Sequence, residues 1–249
     1  MPESRGPSPR ARDTAPELWV WNLGRLPYGD ALEIQRAVAR DRISGVLAED
    51  VLLLVEHPPV VTLGRSSHAR HLTASPELLA ARGVELFDVE RGGDVTFHGP
   101  GQIVGYPVID LKRHRRDLHW YLRTLEGSLI DALASIGLVA HQRPGLTGVW
   151  TASGRKIASI GVHARDWVTW HGFALNVSTD LSYFDLMVPC GIAGVEMTSV
   201  ARELGQVPGG QVVVAVAVTE ALARRLDLSP VAHPLAYDIS NVAHTTAPA

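Results

Sequence analysis

Residues 171–200, HGFALNVSTDLSYFDLMVPCGIAGVEMTSV, contain a Pro-Cys-Gly sequence that is the strongest candidate for a reactive site. Cys190, the only cysteine among 249 residues, lies here between Pro189 and Gly191. Proline fixes the backbone on one side and glycine frees it on the other, so we expect an exposed turn that presents the thiol. The alternative is a cysteine that packs as a small apolar side chain.

The composition indicates the class of protein. With 46% hydrophobic and 20% charged residues, the chain is typical of a globular enzyme with one large core. Its net charge of -3 lacks the basic excess of a nucleic-acid-binding protein. A single cysteine excludes an internal disulfide, which fits the reducing cytoplasm. The N-terminal residues lack the apolar core of a signal peptide, and no apolar stretch is long enough to span a bilayer. We therefore expect a cytoplasmic protein that binds neither nucleic acid nor membrane.

The periodic segments predict a single α/β (α+β) domain, a mixed β-sheet with flanking helices. The run VLLLVE at 51–56 is typical of a strand buried on both faces, and three strands joined by tight turns are expected across 148–177. The helix predicted over 117–136 has an apolar stripe of Leu118, Tyr121, Leu122, Leu125, Leu129 and Leu133. Further helices are expected at 28–43, within 68–82 (a loop with a short helix), at 180–186 and at 211–226, and strands at 18–23, 60–63, 84–90, 94–97 and 103–109. The predicted boundaries are a flexible tail at 1–16, the catalytic domain at 17–228 and a loosely ordered tail at 229–249.

A second stretch, RGGDVTFHGPGQIVGYPVID at 91–110, is rich in glycine and proline. Glycine lets the main chain approach a ligand without a Cβ atom in the way, so this stretch is a candidate binding loop. A reactive cysteine must also be present as the thiolate, which a nearby cation stabilises. Lys156 is a candidate cation, although at the start of a strand it could equally be an edge residue that aids solubility. His98 and His171, each followed by a glycine, are candidates for a catalytic base, a substrate contact or a structural histidine.

Several other chemistries lack their motifs. The sequence contains no GxxxxGK[ST] phosphate loop and no GxGxxG dinucleotide loop. It also lacks the GxSxG nucleophile elbow and the HExxH zinc motif. Thiol chemistry beside a glycine-lined groove is what the residues favour.

Five blocks, in order and spacing, resemble the lipoyl(octanoyl) transferase family. They are RGGDVTFHGPGQIVGYPVIDL, GVW followed by RKIASIGV, HGFALNVSTDL, PCGI and MTSV. The resemblance covers roughly residues 51–204. It implies the fold of biotin and lipoate protein ligases, with Cys190 and Lys156 as the catalytic pair. It also implies three substrate-binding segments, which are Arg91, Gly92, Gly93, Asp94, Val95, Thr96, Phe97 and His98; Ser159, Ile160 and Gly161; and Gly172, Phe173 and Ala174.

The resemblance also implies the reaction. Such enzymes move an octanoyl group from octanoyl-acyl carrier protein, through a cysteine thioester, to a lysine of a lipoyl domain, the first step of endogenous protein lipoylation. The partners would be acyl carrier protein and the lipoyl domains of 2-oxoacid dehydrogenase E2 subunits and of glycine cleavage H protein. A thioester donor is already activated, so neither ATP nor a metal is expected, and we expect a monomer. Because carrier proteins are acidic, the basic cluster at 112–116 is a candidate docking surface, or else a solvated loop before a helix.

Two other functions are compatible with these residues. An ATP-dependent lipoate ligase of the same fold would adenylate a free acid and would not need Cys190. A non-catalytic module would bind carrier proteins or lipoyl domains without forming a covalent adduct.

Overall fold

The computed structural model describes residues 15–191 and 194–232, and only the main chain of Cys190. The exposure predicted for the Cys190 thiol, residues 1–14 of the predicted N-terminal tail and residues 233–249 of the predicted C-terminal tail lie outside the described residues. The strands are β1 (Glu17–Arg25), β2 (Asp50–Glu56), β3 (Val60–Leu63), β4 (Glu85–Asp88), β5 (Val95–His98), β6 (Gln102–Val108), β7 (Ala140–Arg143), β8 (Leu146–Thr151), β9 (Lys156–Arg165), β10 (Val168–Asn176) and β11 (Ser229–Ala232). The helices are α1 (Tyr28–Ser44), α2 (Pro76–Ala81), α3 (Leu118–Ser135), α4 (Val200–Leu204) and α5 (Gly210–Arg225), with 3₁₀ turns at Ala69–His71, Leu181–Leu186 and Pro189–Gly191.

Eight strands form the main sheet, in the order β11-β1-β2-β6-β10-β9-β8-β7. β1 lies parallel to both β11 and β2, whereas each later pair of neighbours, from β2–β6 to β8–β7, is antiparallel. The sheet is therefore mixed, and the predicted fold class is confirmed.

Helices cover both faces of this sheet, and β2 shows why its sequence is continuously apolar. Its side chains alternate, so that Leu52 and Leu54 pack in the core that holds α3 and α5. Val51, Leu53 and Val55 pack in the core on the opposite face, which holds α1. A strand that is buried on both faces has no position for a polar side chain between its ends.

Helix α3 buries four of the six residues of its predicted apolar stripe, and Leu122 is only half-buried. Asp117 caps its first turn by accepting a hydrogen bond from the Trp120 amide at 3.0 Å. Tyr121, Leu125 and other stripe residues are fully buried in the core. Leu118 is 40% exposed, which corrects its place in the stripe, because it is the first residue of the helix and precedes the packed turns.

A second sheet of three strands, in the order β4-β3-β5, was not predicted as a separate layer. It has its own core, in which Phe97 stacks on Tyr183 at 4.6 Å between ring centroids. The turn at 99–101 joins β5 of this small sheet to β6 of the main sheet. Gly101 has φ +80°, and its carbonyl accepts hydrogen bonds from the amides of Val177 and Ser178. The glycine-rich stretch therefore connects the two sheets.

Three short elements were absent from the prediction. The edge strand β7 is AHQR, which offers no apolar alternation to recognise. The edge strand β11 contains Pro230 and takes up the first four residues of the predicted C-terminal tail, a place where proline is tolerated in a sheet. The helix α4 is only five residues long, too short for a periodic pattern. Within the described residues, no helix is long and apolar enough to cross a membrane.

Candidate active site

A cavity of about 240 Å³ lies between the strands β9 and β10 of the main sheet and the loop that precedes β5. Its wall is formed by Tyr28, Arg91, Gly93, Asp94, Val95, Thr96, His98, Tyr106, Gly145, Leu146, Thr147, Ser159, Ile160, Gly161, His171, Gly172, Phe173 and Ala174. All three segments predicted to bind substrate therefore meet at one cavity, together with His171.

Gly92 and Phe97, which were predicted with these segments, are not among the lining residues. The Gly92 amide donates to the Val162 carbonyl of β9 at 2.8 Å, so this residue attaches the loop to the sheet. Phe97 points to the opposite side of β5 from Thr96 and His98, as alternation along a strand requires, and packs in the core of the small sheet.

Five lining residues were missed by the sequence analysis. Tyr106 lies within the glycine-rich stretch, whose apolar residues were assigned to a strand without asking which face they occupy. Tyr28 begins α1 and carries no local signal of a binding site. Gly145, Leu146 and Thr147 belong to the β7–β8 hairpin, and β7 itself was not predicted.

Arg91 is held by the small sheet rather than left open to solvent. Its Nη2 donates to the Thr62 carbonyl at 2.7 Å, and its Nε donates to the Thr62 hydroxyl at 3.2 Å. Nη1 donates to the Gly92 carbonyl at 3.0 Å, which folds the loop around the guanidinium. The arginine thus braces the loop that forms one wall of the cavity.

Glycines at two further positions let main chains touch. A Cβ atom at Gly161 would lie 2.6 Å from the Gly92 carbonyl oxygen, and one at Gly172 would overlap the Gly105 carbonyl oxygen. Either side chain would push apart elements that now form the cavity wall. On the neighbouring strand, a Cβ atom at Gly105 would overlap the ring of Phe173, so this glycine provides the space that the ring fills.

Aromatic rings gather at the part of the cavity wall nearest α1. His98 stacks on Tyr28 with ring centroids 5.9 Å apart, and Tyr106 meets His171 edge-on at 6.4 Å. His57, behind them, donates from Nδ1 to the Leu26 carbonyl and accepts at Nε2 from the Tyr106 hydroxyl, both at 2.8 Å. Burial raises the pKa of both tyrosine hydroxyls, so they stay protonated.

The histidines of this cluster are neutral at physiological pH. Burial lowers the pKa of His98 to about 3, despite a hydrogen bond of 2.8 Å to Gln102, and lowers that of His57 to about 4. Burial also lowers the pKa of His171. Neutral rings and protonated hydroxyls make this part of the wall suited to an uncharged ligand.

His171 is the least satisfied residue of the cavity wall. Neither ring nitrogen has a hydrogen-bond partner among the described residues, and Nε2 is 3.7 Å from Glu90 Oε1, too long for a hydrogen bond. Its backbone has φ 55°, which is uncommon for a residue with a side chain. A buried imidazole in this state can donate a hydrogen bond to a ligand or a water molecule within the cavity.

Lys156 is 1% exposed, so the interpretation as a solubilising edge residue is wrong. Its Nζ lies 5.2 Å from the centroid of the Trp150 ring, a favourable position for a cation. Its main chain is bonded to the segment that follows Cys190, through the Glu196 carbonyl at 2.8 Å and the Thr198 amide at 2.9 Å. The side chain does not line the cavity but lies three residues before Ser159, which does.

Cys190 lies in a 3₁₀ turn, Pro189–Gly191, packed against the cavity wall. A Cβ atom at Gly191 would meet the carboxylate of Asp94, a lining residue. Glu196 is bonded to Lys156, and Cys190 precedes Glu196 by six residues. A stretch of this length limits the distance between the main chains of Cys190 and Glu196 to about 20 Å. The turn of Cys190 thus lies against the cavity wall and Lys156 lies on a strand that contributes to it, while their pairing as catalytic residues stays a prediction.

The basic cluster at 112–116 does not border this cavity. The main chain at Leu111 is bonded to Trp167, in the hairpin at the end of β9 that is farthest from Lys156. Nine residues of strand separate the two ends of β9, about 30 Å. Arg113 donates to the Ala48 carbonyl and His114 lies 2.8 Å from the buried Asp50, so these side chains stabilise the loop. The cluster is a loop before a helix, and its alternative role as a docking surface stays a prediction.

Comparison with known proteins identifies the family. The lipoyl protein ligase A/B catalytic domain matches residues 27–223. The chain belongs to this family. Among its relatives, the octanoyltransferase of Solibacter usitatus is 55% identical over 170 residues, covering 68% of this chain and 76% of that protein. The octanoyltransferase of Chloroflexus aurantiacus is 51% identical over 193 residues, covering 77% and 86%. This member of the family is therefore an acyltransferase.

A solved structure supports the assignment of the fold. A bi-partite lipoate protein ligase from Thermoplasma acidophilum superposes with a TM-score of 0.73 over 92% of this chain and 91% of that chain, at 17% identity. The family member described here thus has the fold of lipoate protein ligases, as its sequence blocks predicted.

The buried histidines predict how stability depends on pH. At pH 5.5 His57 and His98 stay neutral in the folded chain, whereas unfolded histidine, with a pKa near 6.5, is mostly protonated. The unfolded state then binds more protons, so stability falls as the pH decreases from about 6.5 towards about 4. The loss at pH 5.5 is about 1.4 kcal/mol for each histidine. Urea unfolding at pH 7.5 and 5.5 measures this loss of stability. In His98→Gln, the difference in unfolding free energy between the two pH values should be smaller by the contribution of His98. An unchanged pH difference in that variant would contradict the assignment.

Gly93 and Gly137 offer a matched pair that separates binding from stability. Both have φ +87°, but Gly93 lines the cavity, whereas Gly137 follows α3 with nothing within 4 Å of an added Cβ atom. Alanine at either position should cost about 1–2 kcal/mol of stability through left-handed strain. Only Gly93→Ala should also weaken binding of octanamide, about fourfold for the space of one methylene. Calorimetry and thermal unfolding measure the two effects. Equal octanamide affinity in both variants would show that Gly93 serves the turn alone.

Proposed function

We propose that this acyltransferase moves an octanoyl group from octanoyl-acyl carrier protein to a lysine of a lipoyl domain, the first step of endogenous protein lipoylation. The observation that carries the proposal is the convergence of the three predicted binding segments on one cavity, with the turn of the only cysteine packed against its wall. The relatives named octanoyltransferase support the acyl group. The acceptors would be the lipoyl domains of 2-oxoacid dehydrogenase E2 subunits and of glycine cleavage H protein.

The cavity suits a medium acyl chain. Its wall combines aliphatic and aromatic carbon from Leu146, Ile160 and Phe173 with neutral polar groups. Burying about seven methyl and methylene carbons contributes on the order of 5 kcal/mol. One methylene distinguishes neighbouring chain lengths by only about 1–3 kcal/mol, so a preference for eight carbons requires a wall that ends the cavity. The rings of Tyr28, Tyr106 and His171 are suitably placed to form that wall.

The reaction proceeds in two half-reactions. First, the Cys190 thiolate attacks the thioester carbonyl of the donor, the octanoyl–cysteine bond forms, and the pantetheine thiol leaves and takes up a proton. This exchange of one thioester for another is nearly balanced in free energy. Second, the lysine amine of the lipoyl domain attacks the octanoyl-cysteine, an amide forms, and the Cys190 thiolate leaves. The thioester of the donor already supplies the free energy for acyl transfer, so neither step requires ATP or a metal.

Lys156 is proposed to serve both half-reactions. As an ammonium it favours the thiolate of Cys190, and as an amine it accepts the proton that the attacking lysine must lose. The two residues then act as a coupled pair that exchanges one proton. The burial of Lys156 against Trp150 supports this proposal, because it holds the side chain away from bulk water.

The thioester on Cys190 is tested directly by mass spectrometry. After incubation with octanoyl-acyl carrier protein, the peptide that contains Cys190 should carry one octanoyl group, and Cys190→Ser should fold normally yet lose transfer, because a hydroxyl is a far weaker nucleophile than a thiolate. Because the chain has one cysteine, alkylation by iodoacetamide should abolish activity in proportion to the labelled fraction. Modification of a lipoyl domain with free octanoate and ATP would instead identify a ligase, and binding without an adduct would identify a non-catalytic module.

Replacements of Lys156 separate the two half-reactions. Lys156→Arg keeps a positive charge beside the thiol but cannot accept the proton of the amine, so octanoyl-cysteine should accumulate and transfer should stall. Lys156→Ala should slow both steps. The neighbouring Arg155→Ala removes a half-exposed side chain bonded to Glu203 and should leave both steps intact. Rapid-quench measurement of octanoyl-cysteine and of modified lipoyl domain distinguishes the steps. If Lys156→Arg modifies the lipoyl domain at the parent rate, another group, such as His171 or His98, accepts the proton.

A further inference from the structure

A second pair of side chains lies against the turn of Cys190. His71, at the end of the 3₁₀ turn Ala69–His71, places Nδ1 2.6 Å from Asp94 Oδ2. Arg70 Nε donates to the His71 Nε2 atom at 3.3 Å. Because Nε2 accepts this hydrogen bond, the ring proton lies on Nδ1, which donates to Asp94. The ring orientation is therefore fixed from both sides.

The same pair lies against the residue that follows the cysteine. A Cβ atom at Gly191 would meet the Asp94 carboxylate and would lie 2.8 Å from Cε1 and 2.9 Å from Nδ1 of His71. Gly191 also has φ +66°, in the region that favours glycine. The main chain directly after Cys190 is thus in van der Waals contact with both members of the pair.

The chain before the cysteine is bonded to the same segment. The Val188 amide donates to the His71 carbonyl at 2.7 Å, and Leu72 forms an antiparallel bridge with Met187. Asp94 itself is fixed by its second oxygen, which accepts a hydrogen bond from the Val95 amide at 2.7 Å. Contacts on both sides of Cys190 therefore lead to His71 or to its partner.

We infer that His71 is a positioning residue, which together with Asp94 holds the turn of Cys190 at the cavity wall. This inference rests on the proposed function and extends it. Asp94 lines the cavity and contacts the cysteine turn, so the hydrogen bond from His71 couples the main chain of this turn to the cavity wall. His71 lies outside the three segments implied by the family resemblance and does not line the cavity.

The test uses the full-length chain with His71→Ala, His71→Asn and, as the matched control, His68→Ala. His68 is an exposed neighbour whose ring lies edge-on to His71 at 5.4 Å without a bond to Asp94. His71→Ala should lower kcat for octanoyl transfer by about 10- to 100-fold, the cost of misplacing a nucleophile, while KM for the donor is unchanged. His71→Asn retains a donor close to the place of Nδ1 and should restore most of kcat. His68→Ala should match the parent chain.

Gly191→Ala disturbs the contact between the cysteine turn and the His71–Asp94 pair from the side of the turn. It therefore tests the proposal even if His71→Ala does not fold. It should lower kcat as His71→Ala does, and the double variant should lose little more than either single variant, because both remove one interaction. Additive losses in the double variant would overturn the shared contact. Full kcat in His71→Ala, or a His71→Asn variant as slow as the alanine variant, would overturn the role of the hydrogen bond.

A thiol-reactivity measurement keeps this test independent of the proposed reaction. Because Cys190 is the only cysteine, its alkylation by iodoacetamide at one fixed pH reports on the turn alone. His71→Ala should change the alkylation rate constant by about tenfold, and His71→Asn should return it towards the parent value. If the parent chain forms no octanoyl-cysteine, the proposed function fails while this measurement still decides on His71. An alkylation rate that is the same in all variants would overturn the positioning role.

Discussion

The cavity depends on a main-chain contact between two sheets. The Gly92 amide donates to the Val162 carbonyl of β9 at 2.8 Å, and the Gly92 carbonyl lies where a side chain at Gly161 would have to be. Two glycines facing each other allow this approach, and Arg91 stabilises the loop by bonding to Thr62 on the neighbouring strand. Without the contact, the loop of the small sheet would not close over the main sheet, and the lining residues from 91 to 98 would not face those of β9 and β10.

Burial determines the chemical character of the space thus enclosed. His57, His98, Tyr28 and Tyr106 are polar side chains, yet burial keeps the histidines deprotonated and the tyrosines protonated. Hydrogen bonds hold both nitrogens of His57 and Nδ1 of His98, through Leu26, Tyr106 and Gln102. Neither ring nitrogen of the neighbouring His171 has a partner among the described residues. The wall near α1 is therefore uncharged and mostly satisfied, as an apolar acyl chain requires.

Much of this arrangement was predictable, for identifiable reasons. β2 is apolar throughout because it packs on both faces, and α3 has an apolar stripe because it packs on one face. The spacing of apolar residues therefore predicted both elements. The family blocks led to the cavity because glycines at 161 and 172 mark close main-chain approaches. Periodicity could not reveal the small sheet, since β4 and β5 pair with β3 only through the tertiary fold. It also gave no sign of Tyr28, which joins the cavity from a helix distant in sequence, nor that Phe97 faces away from it.

The position of Cys190 relative to Lys156 follows from how the intervening chain is tied. At one end, Val188 is bonded to His71 and Gly191 lies against Asp94. At the other end, Glu196 and Thr198 bond to the main chain of Lys156, and Met197 forms an isolated parallel bridge with it. At the lysine end, side chains reinforce these main-chain bonds, because Asn176 Nδ2 donates to the Thr198 carbonyl at 3.0 Å and Arg202 Nη1 donates to the Met197 carbonyl at 3.2 Å. At the cysteine end the side chains of His71 and Asp94 pack against Gly191, so the course of this segment depends on the identity of particular residues at both ends.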